Sequence, residues 1–153
     1  MVAQVLRFQK IKGSPDIASV FQHDTRDHVP DHADAKRTLQ NIRLMGSEAG
    51  AGADYLAWKE MLPDKYRADA VVLGSVVVSG NADKINEMAG RKVKDGPHKG
   101  RSEAEAYLRD GLDWFKKKLG EENIVSAYIH NDEKSPHLHI LWTPRYTNEK
   151  GQT

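Results

Sequence analysis

His130-Asn131-Asp132-Glu133-Lys134-Ser135-Pro136-His137-Leu138-His139 is the stretch on which the reading of this chain turns. It holds three imidazoles and two carboxylates, in a chain with seven histidines. Apolar runs flank it, Ile124 to Ile129 before and Ile140 to Trp142 after. On a strand, residues i and i+2 share a face. His137 and His139 therefore point one way and Leu138 and Ile140 the other. His130 ends one strand, and the connection to His137 is too short for a crossover, so the two strands form an antiparallel hairpin. The three histidines then converge at one end of a sheet. Neutral imidazoles bind Mn²⁺, Zn²⁺, Co²⁺ or Ni²⁺, and a three-nitrogen site at His130, His137 and His139 leaves positions open for water or a phosphate oxygen. Asp132 reads as a turn former. Glu133 stays open between metal ligand, a group orienting an imidazole, and a base.

Outward from the hairpin, the rest reads as alternating elements. A first strand covers Val2 to Ile11, stopped by Gly13-Ser14-Pro15. Ser14 and Pro15 open a short helix to about Gln22 that buries Ile17, Val20 and Phe21. A polar loop with His28 and His32 follows, then a weak strand within 35–44. A helix spans Ala53 to Tyr66, with Pro63 as a late break. Ala70 to Val78 is β-branched and nearly continuous, hence a central strand. A short helix covers Asn81 to Met88, and a basic loop runs from Arg91 to Arg101. Ser102 and Glu105 have capping-box spacing for a helix with Tyr107, Leu108, Leu112, Phe115 and Leu119 as its apolar stripe, ended by Gly120. Helices set around a mainly antiparallel sheet make the fold α+β.

The 153 residues suit one domain, 1–145, with a polar tail, 146–153, that leads towards a longer protein. No stretch of about 18 apolar residues is present to span a membrane, and no charged segment precedes an apolar one as in a signal peptide. The absence of cysteine removes disulfides and thiolate metal sites and suits a cytoplasmic location. A formal net charge of +1 does not announce a nucleic-acid binder, so DNA contact would rest on local basic groups.

Taken together, His-x-Asp-Glu-x-x-Pro-His-hydrophobic-His resembles the metal motif of HUH endonucleases, and specifically of Pre/Mob plasmid mobilisation relaxases, the plasmid recombination enzymes. The first residues with Arg7, Gln9 and Lys10 are similar to that family's first strand. Phe21-Gln22-His23-Asp24-Thr25-Arg26 resembles its His-x-x-Arg segment. Lys36-Arg37 with Asn41 resembles a following Arg/Asn motif, and Arg67 to Val71 the approach to its central strand. The resemblance implies a central antiparallel sheet with the HUH strand in its middle. It also implies strand-specific nicking of plasmid DNA, single-stranded or hairpin, at an origin of transfer. His23 matches a histidine nucleophile that forms a phosphoramidate link to the 5′ end. The implied cofactor is a divalent metal, Mn²⁺ first, with Mg²⁺ or another divalent ion as alternatives. Arg26 is placed to contact the phosphate, with Glu133 assisting. Arg7, Lys10, Lys36, Arg37, Asn41 and Arg43 are the expected DNA contacts, joined by the 91–101 loop. Coupling or dimerisation would involve regions beyond this chain.

Two other functions fit the residues less fully. One is an HUH replication initiator or transposase with a tyrosine nucleophile, for which Tyr55, Tyr66, Tyr107, Tyr128 and Tyr146 are the candidates. The other is a non-catalytic, metal-containing DNA-binding module.

Overall fold

A computed structural model describes residues 4–12, 17–26, 33, 41–46, 51–62 and 71–144. The side chains of Arg7 and His23 lie outside that description, as do His28, His32, Lys36, Arg37, Tyr66, Tyr146 and the tail 146–153 entirely.

The elements run β1 (Gln4–Lys12), α1 (Ile17–Thr25), β2 (Ile42–Met45), α2 (Ala51–Met61), β3 (Val71–Gly80), α3 (Ala82–Ala89), α4 (Glu103–Leu119), a 3₁₀ turn (Glu121–Asn123), β4 (Ile124–His130) and β5 (His137–Trp142). The strands form one five-stranded sheet in the order β1-β3-β5-β4-β2. Each neighbouring pair is antiparallel. The fold is the expected α+β, and β5, which carries His137 and His139, is the middle strand. Within the expected 35–44 strand, the described part is Ile42 onwards, paired to β4 through Ile42–Ile129 and Arg43–Tyr128. The helix expected to reach Tyr66 ends at Met61, two residues before Pro63, whose ring disfavours helical backbone in the residue preceding it.

Local chemistry explains the helix starts. Asn81 caps α3, its side-chain oxygen accepting from the Asp83 and Lys84 amides. Ser102 caps α4 by accepting from the Glu105 amide at 3.1 Å, while Gly120 ends that helix with φ +86°. The Glu105 carboxylate turns instead to Arg101, at 3.2 Å.

The sheet is covered on both faces, which is why β3 is buried along most of its length. On one face Val76, Val78, Ala127, Ile129, Leu138 and Ile140 pack with Leu108, Leu112 and Phe115 of α4. On the other, Leu73, Val125 and Leu141 meet Ile17 and Phe21 of α1 and Trp58 of α2. The Trp58 indole N–H donates to the Val72 carbonyl at 2.9 Å, tying α2 to the sheet.

Gly74 sits opposite Trp142 in the β3–β5 register. A Cβ there would run into the Trp142 indole. Gly74→Ala should therefore destabilise the protein by about 1–3 kcal/mol through overpacking. Urea midpoints check this, and pairing the change with Trp142→Leu should recover part of the loss.

Candidate metal centre

The strand register delivers the histidines to a single face. Cross-strand partners share a face, and Tyr128 pairs with His139 while His130 pairs with His137. On β5, His137, His139 and Leu141 alternate with Leu138 and Ile140, and Leu141 belongs to the core under α1 and α2. The imidazoles thus lie on the α1/α2 side of the sheet, where the last turn of α1 reaches them. Ring centroids are 5.2 Å apart for His130 and His137 and 6.1 Å for His130 and His139.

Hydrogen bonds decide which nitrogen of each ring is available. His130 Nε2 lies 2.9 Å from the Asp24 main-chain carbonyl. His137 Nδ1 lies 3.1 Å from the Ser135 carbonyl. A carbonyl only accepts, so those two nitrogens carry the protons of the neutral rings. The remaining nitrogens, His130 Nδ1 and His137 Nε2, then turn their lone pairs towards each other at 3.3 Å. Two acceptors at that distance are relieved by a shared cation. The Glu133 carboxylate stands beside them, Oε2 at 3.5 Å from His137 Nε2. One donor atom from each of His130, Glu133 and His137 lies within 4.8 Å of the others. Two imidazole nitrogens and a carboxylate oxygen suit a first-row divalent ion such as Mn²⁺.

His139 stands next to this cluster, with both nitrogens engaged. Its Nδ1 meets Asp24 Oδ1, and its Nε2 lies 2.6 Å from the Ser75 hydroxyl. Burial and surroundings set the rings apart electrostatically. Burial pushes His130 down to about 4, against a partial opposing pull from Asp24. Burial also lowers His137. Burial works against charge on His139 too, but there the Asp24 carboxylate prevails and the pKa is raised.

The turn carrying Glu133 is held from several elements. Arg26, just past α1, donates through Nε to Asp132 Oδ2 and through Nη2 to Asp132 Oδ1, both at 2.9 Å, and through Nη2 to Glu133 Oε1 at 2.8 Å. Asn41 Oδ1 accepts from the Asn131 amide at 2.7 Å. Ser79 Oγ donates to the Pro136 carbonyl and Asn86 Nδ2 to the Lys134 carbonyl, each at 3.3 Å. Arg26 itself adopts a left-handed backbone, φ +61°. Such a conformation is uncommon for a residue with a Cβ. It turns the chain at the helix end and aims the guanidinium into the hairpin.

The expected residues therefore divide. His130, His137, Glu133 and Arg26 meet at one place, with His139 beside them. His23 lies in α1 next to Asp24, its side chain outside the description. Arg26, expected to contact the phosphate, here donates to both Asp132 carboxylate oxygens. Arg43 pairs with buried Asp54 at 3.2 Å and lies over the Tyr128 ring, 4.7 Å from its centroid. Lys10 is exposed on edge strand β1. In the 91–101 loop, Arg91 pairs with Glu87 and Glu103, and His98 with Asp110. Among the tyrosines, Tyr128 shares the histidine face, 5.9 Å from the His130 ring between centroids, but is only 6% exposed. Tyr55 packs against Phe21 and Trp58, and the Tyr107 hydroxyl faces the Ser79 carbonyl.

Asp24 and Ser75 escaped the sequence reading, and Asp132 proved more than a turn former. One signal pointed to Asp24: an acid in a helix's last turn opposes the helix dipole, which suggests a tertiary partner.

Comparison with known proteins gives a consistent result. Residues 1–152 match the family model described as plasmid recombination enzyme. Plasmid recombination enzyme type 1 of Staphylococcus aureus is 22% identical, the match covering 94% of this chain and 35% of the relative. A plasmid recombination enzyme of Bacillus thuringiensis is 31% identical, with 89% of this chain and 29% of the relative covered. The chain thus spans about a third of the length of these relatives. The MobM relaxase domain, solved Mn-bound with plasmid pMV158 oriT DNA, has the same fold at TM-score 0.71 and 20% identity, covering 96% of this chain and 73% of that one.

Two measurements follow from the site's electrostatics. The folded His130 pKa of about 4 lies below its ordinary 6.5, so between those values the unfolded chain binds a proton that the folded chain refuses. The metal-free protein should lose stability as pH falls from 6.5 to 4, by up to about 3 kcal/mol from this group. His139 acts oppositely, its contribution being present below pH 6.5 and lost as pH rises through its raised folded pKa. Urea midpoints against pH, with imidazole NMR titration, check both signs. Separately, Arg26→Leu leaves buried Asp132 without its cation and should destabilise by about 3–5 kcal/mol, read from the same unfolding curves.

Proposed function

Because the chain belongs to the plasmid recombination enzyme family, we propose that it is a metal-dependent relaxase that nicks one strand of plasmid DNA at an origin of transfer. Residues 1–145 serve as the nicking domain and His23 as the nucleophile. The observation that carries this reading is the docking of α1 on the hairpin: the Asp24 carbonyl meets His130 Nε2 at 2.9 Å, so the residue adjoining His23 touches the histidine cluster. The MobM relaxase domain, crystallised with Mn and oriT DNA, supports the reaction class.

His130, Glu133 and His137 would hold the ion, and His139 would join them through Nε2 in place of its contact with the Ser75 hydroxyl. When bound, a divalent cation grips nonbridging phosphate oxygens and offsets the charge that builds up at phosphorus. The chain's own residues supply the rest. The lone pair of a neutral His23 imidazole forms the nitrogen–phosphorus bond as the bond to the 3′ oxygen breaks. The proton left on the ring passes out, and the departing 3′ oxygen ends as a hydroxyl. Glu133 assists as a metal ligand or as the neighbour of His137. Arg26 acts by holding Glu133 and Asp132 in place, with its positive charge close to the phosphate. Arg7, Lys10, Lys36 and Arg37 neutralise DNA phosphates. Asn41 and Arg43 contribute to DNA binding by shaping the strand edge beside the site.

A tyrosine mechanism keeps one observation in its favour, the position of Tyr128 on the histidine face. Its burial beneath Arg43 counts against attack on a phosphate.

An origin-containing oligonucleotide and Mn²⁺ test the proposal. His23→Ala should abolish nicking and covalent attachment while Mn²⁺ binding persists, and Tyr128→Phe should retain activity. The adduct should hydrolyse in acid, as phosphoramidates do and phosphotyrosine resists. A fully active His23→Ala would sink the nucleophile. DNA binding without cleavage by the unaltered chain would favour a non-catalytic module.

A further inference from the structure

Asp24 touches two of the three histidines, and it does so with different groups. Its main-chain carbonyl accepts from His130 Nε2 at 2.9 Å. Its carboxylate, only 1% exposed, lies against His139 Nδ1. Neither oxygen of that carboxylate meets hydrogen-bond geometry with a partner among the described residues, so the charge pairing of Oδ1 with His139 Nδ1 is what answers its burial. Burying a carboxylate is costly unless it is paired, and His139 is the pairing this one has. On the far side of the ring, the Ser75 hydroxyl meets Nε2 at 2.6 Å. The imidazole is therefore gripped at both nitrogens, between a helix and the adjacent strand β3.

We propose that Asp24 is a positioning residue of the candidate metal centre: one residue of α1 sets which nitrogen of His130 and of His139 carries the proton and which carries the lone pair. The carboxylate takes the His139 Nδ1–H, so Nε2 is the basic nitrogen and the ring plane is held. The carbonyl takes the His130 Nε2–H, so Nδ1 faces His137 Nε2, 3.3 Å away. A carboxylate behind a ligating imidazole fixes its tautomer and raises its basicity, and removing such a partner commonly weakens metal binding about 10–100-fold. Because Asp24 adjoins His23, the same residue also links the position of α1 to the arrangement of the metal-binding rings. The inference rests on the metal-centre reading above.

The test uses the full chain, metal-free, as wild type, Asp24→Ala and Asp24→Asn. Nitrogen-15 NMR of the imidazoles, at a pH where all rings are neutral, reads the tautomers directly. Wild type should show Nδ1–H at His139 and Nε2–H at His130. Asp24→Ala should shift His139 towards a mixture and leave His130 unchanged, since its partner is main chain. Calorimetric titration with Mn²⁺ alone should show Asp24→Ala binding about 10–100-fold more weakly. Asp24→Asn, which keeps an acceptor oxygen of the same shape, should keep the tautomer and most of the affinity. An unchanged His139 tautomer or unchanged Mn²⁺ affinity in Asp24→Ala overturns the proposal, as does a folded Asp24→Asn that behaves no better than alanine. If the alanine variant does not fold, the asparagine variant decides alone. Failure of wild type to bind Mn²⁺ would strike the metal reading itself, while the NMR comparison would still judge the Asp24–His139 link.

Discussion

The buried pairing of Arg26 with Asp132 and Glu133 is the constraint on which the site depends. A guanidinium and a carboxylate both nearly removed from water, with side-chain exposures of 2% and 0%, must match each other closely. Each ion carries a desolvation penalty of several kcal/mol, which only good geometry offsets. Two 2.9 Å bonds to Asp132 and a third to Glu133 supply that geometry. They also outweigh the effect of burial on Arg26, whose pKa is raised. The left-handed backbone at Arg26 belongs to the same arrangement. A continuing helix would carry the guanidinium elsewhere, and the hairpin turn would lose its principal anchor.

From this anchor the division of the sheet follows. The α4 face is closed by an apolar layer. The α1/α2 face is apolar only as far as Phe21, Trp58 and Leu141. Beyond Leu141 the same alternation brings His139 and His137, so the core grades into the site along a single strand. Rigidity passes along with it. The turn 131–136 is bonded to Arg26, Asn41, Ser79 and Asn86, which come from four different parts of the chain. A turn held this way presents Glu133 with little freedom left to lose on binding a ligand.

The site's electrostatics are equally divided. His130 and His137 are kept neutral by burial, the state in which an imidazole donates a lone pair. His139 is drawn towards the charged state by Asp24. One cluster thus holds two rings ready for a cation and a third committed to a carboxylate. Whatever binds must compete with that commitment, so α1, which carries both Asp24 and His23, is part of the candidate metal centre and more than a cover for the sheet.

The sequence alone determined the hairpin, the antiparallel sheet, the helix starts at Asn81 and Ser102, and the placing of His130, His137 and His139 at one end of the sheet. These rest on spacing within a few residues, where periodicity and turn length leave few alternatives. It also carried the family resemblance, because the motifs occur in order along the chain. Tertiary structure decided the partners. Arg26 and Asp24 meet the hairpin across 106 residues, Asn41 across 90 and Ser75 across 64. At such separations local pattern carries no information about contact. Hence Arg26 reads from sequence as a phosphate ligand and in the fold as a carboxylate's partner. His139 reads as an equal member of a histidine trio and stands in the fold on Asp24 and Ser75. The motif says which groups are present; only packing says which nitrogen each one offers.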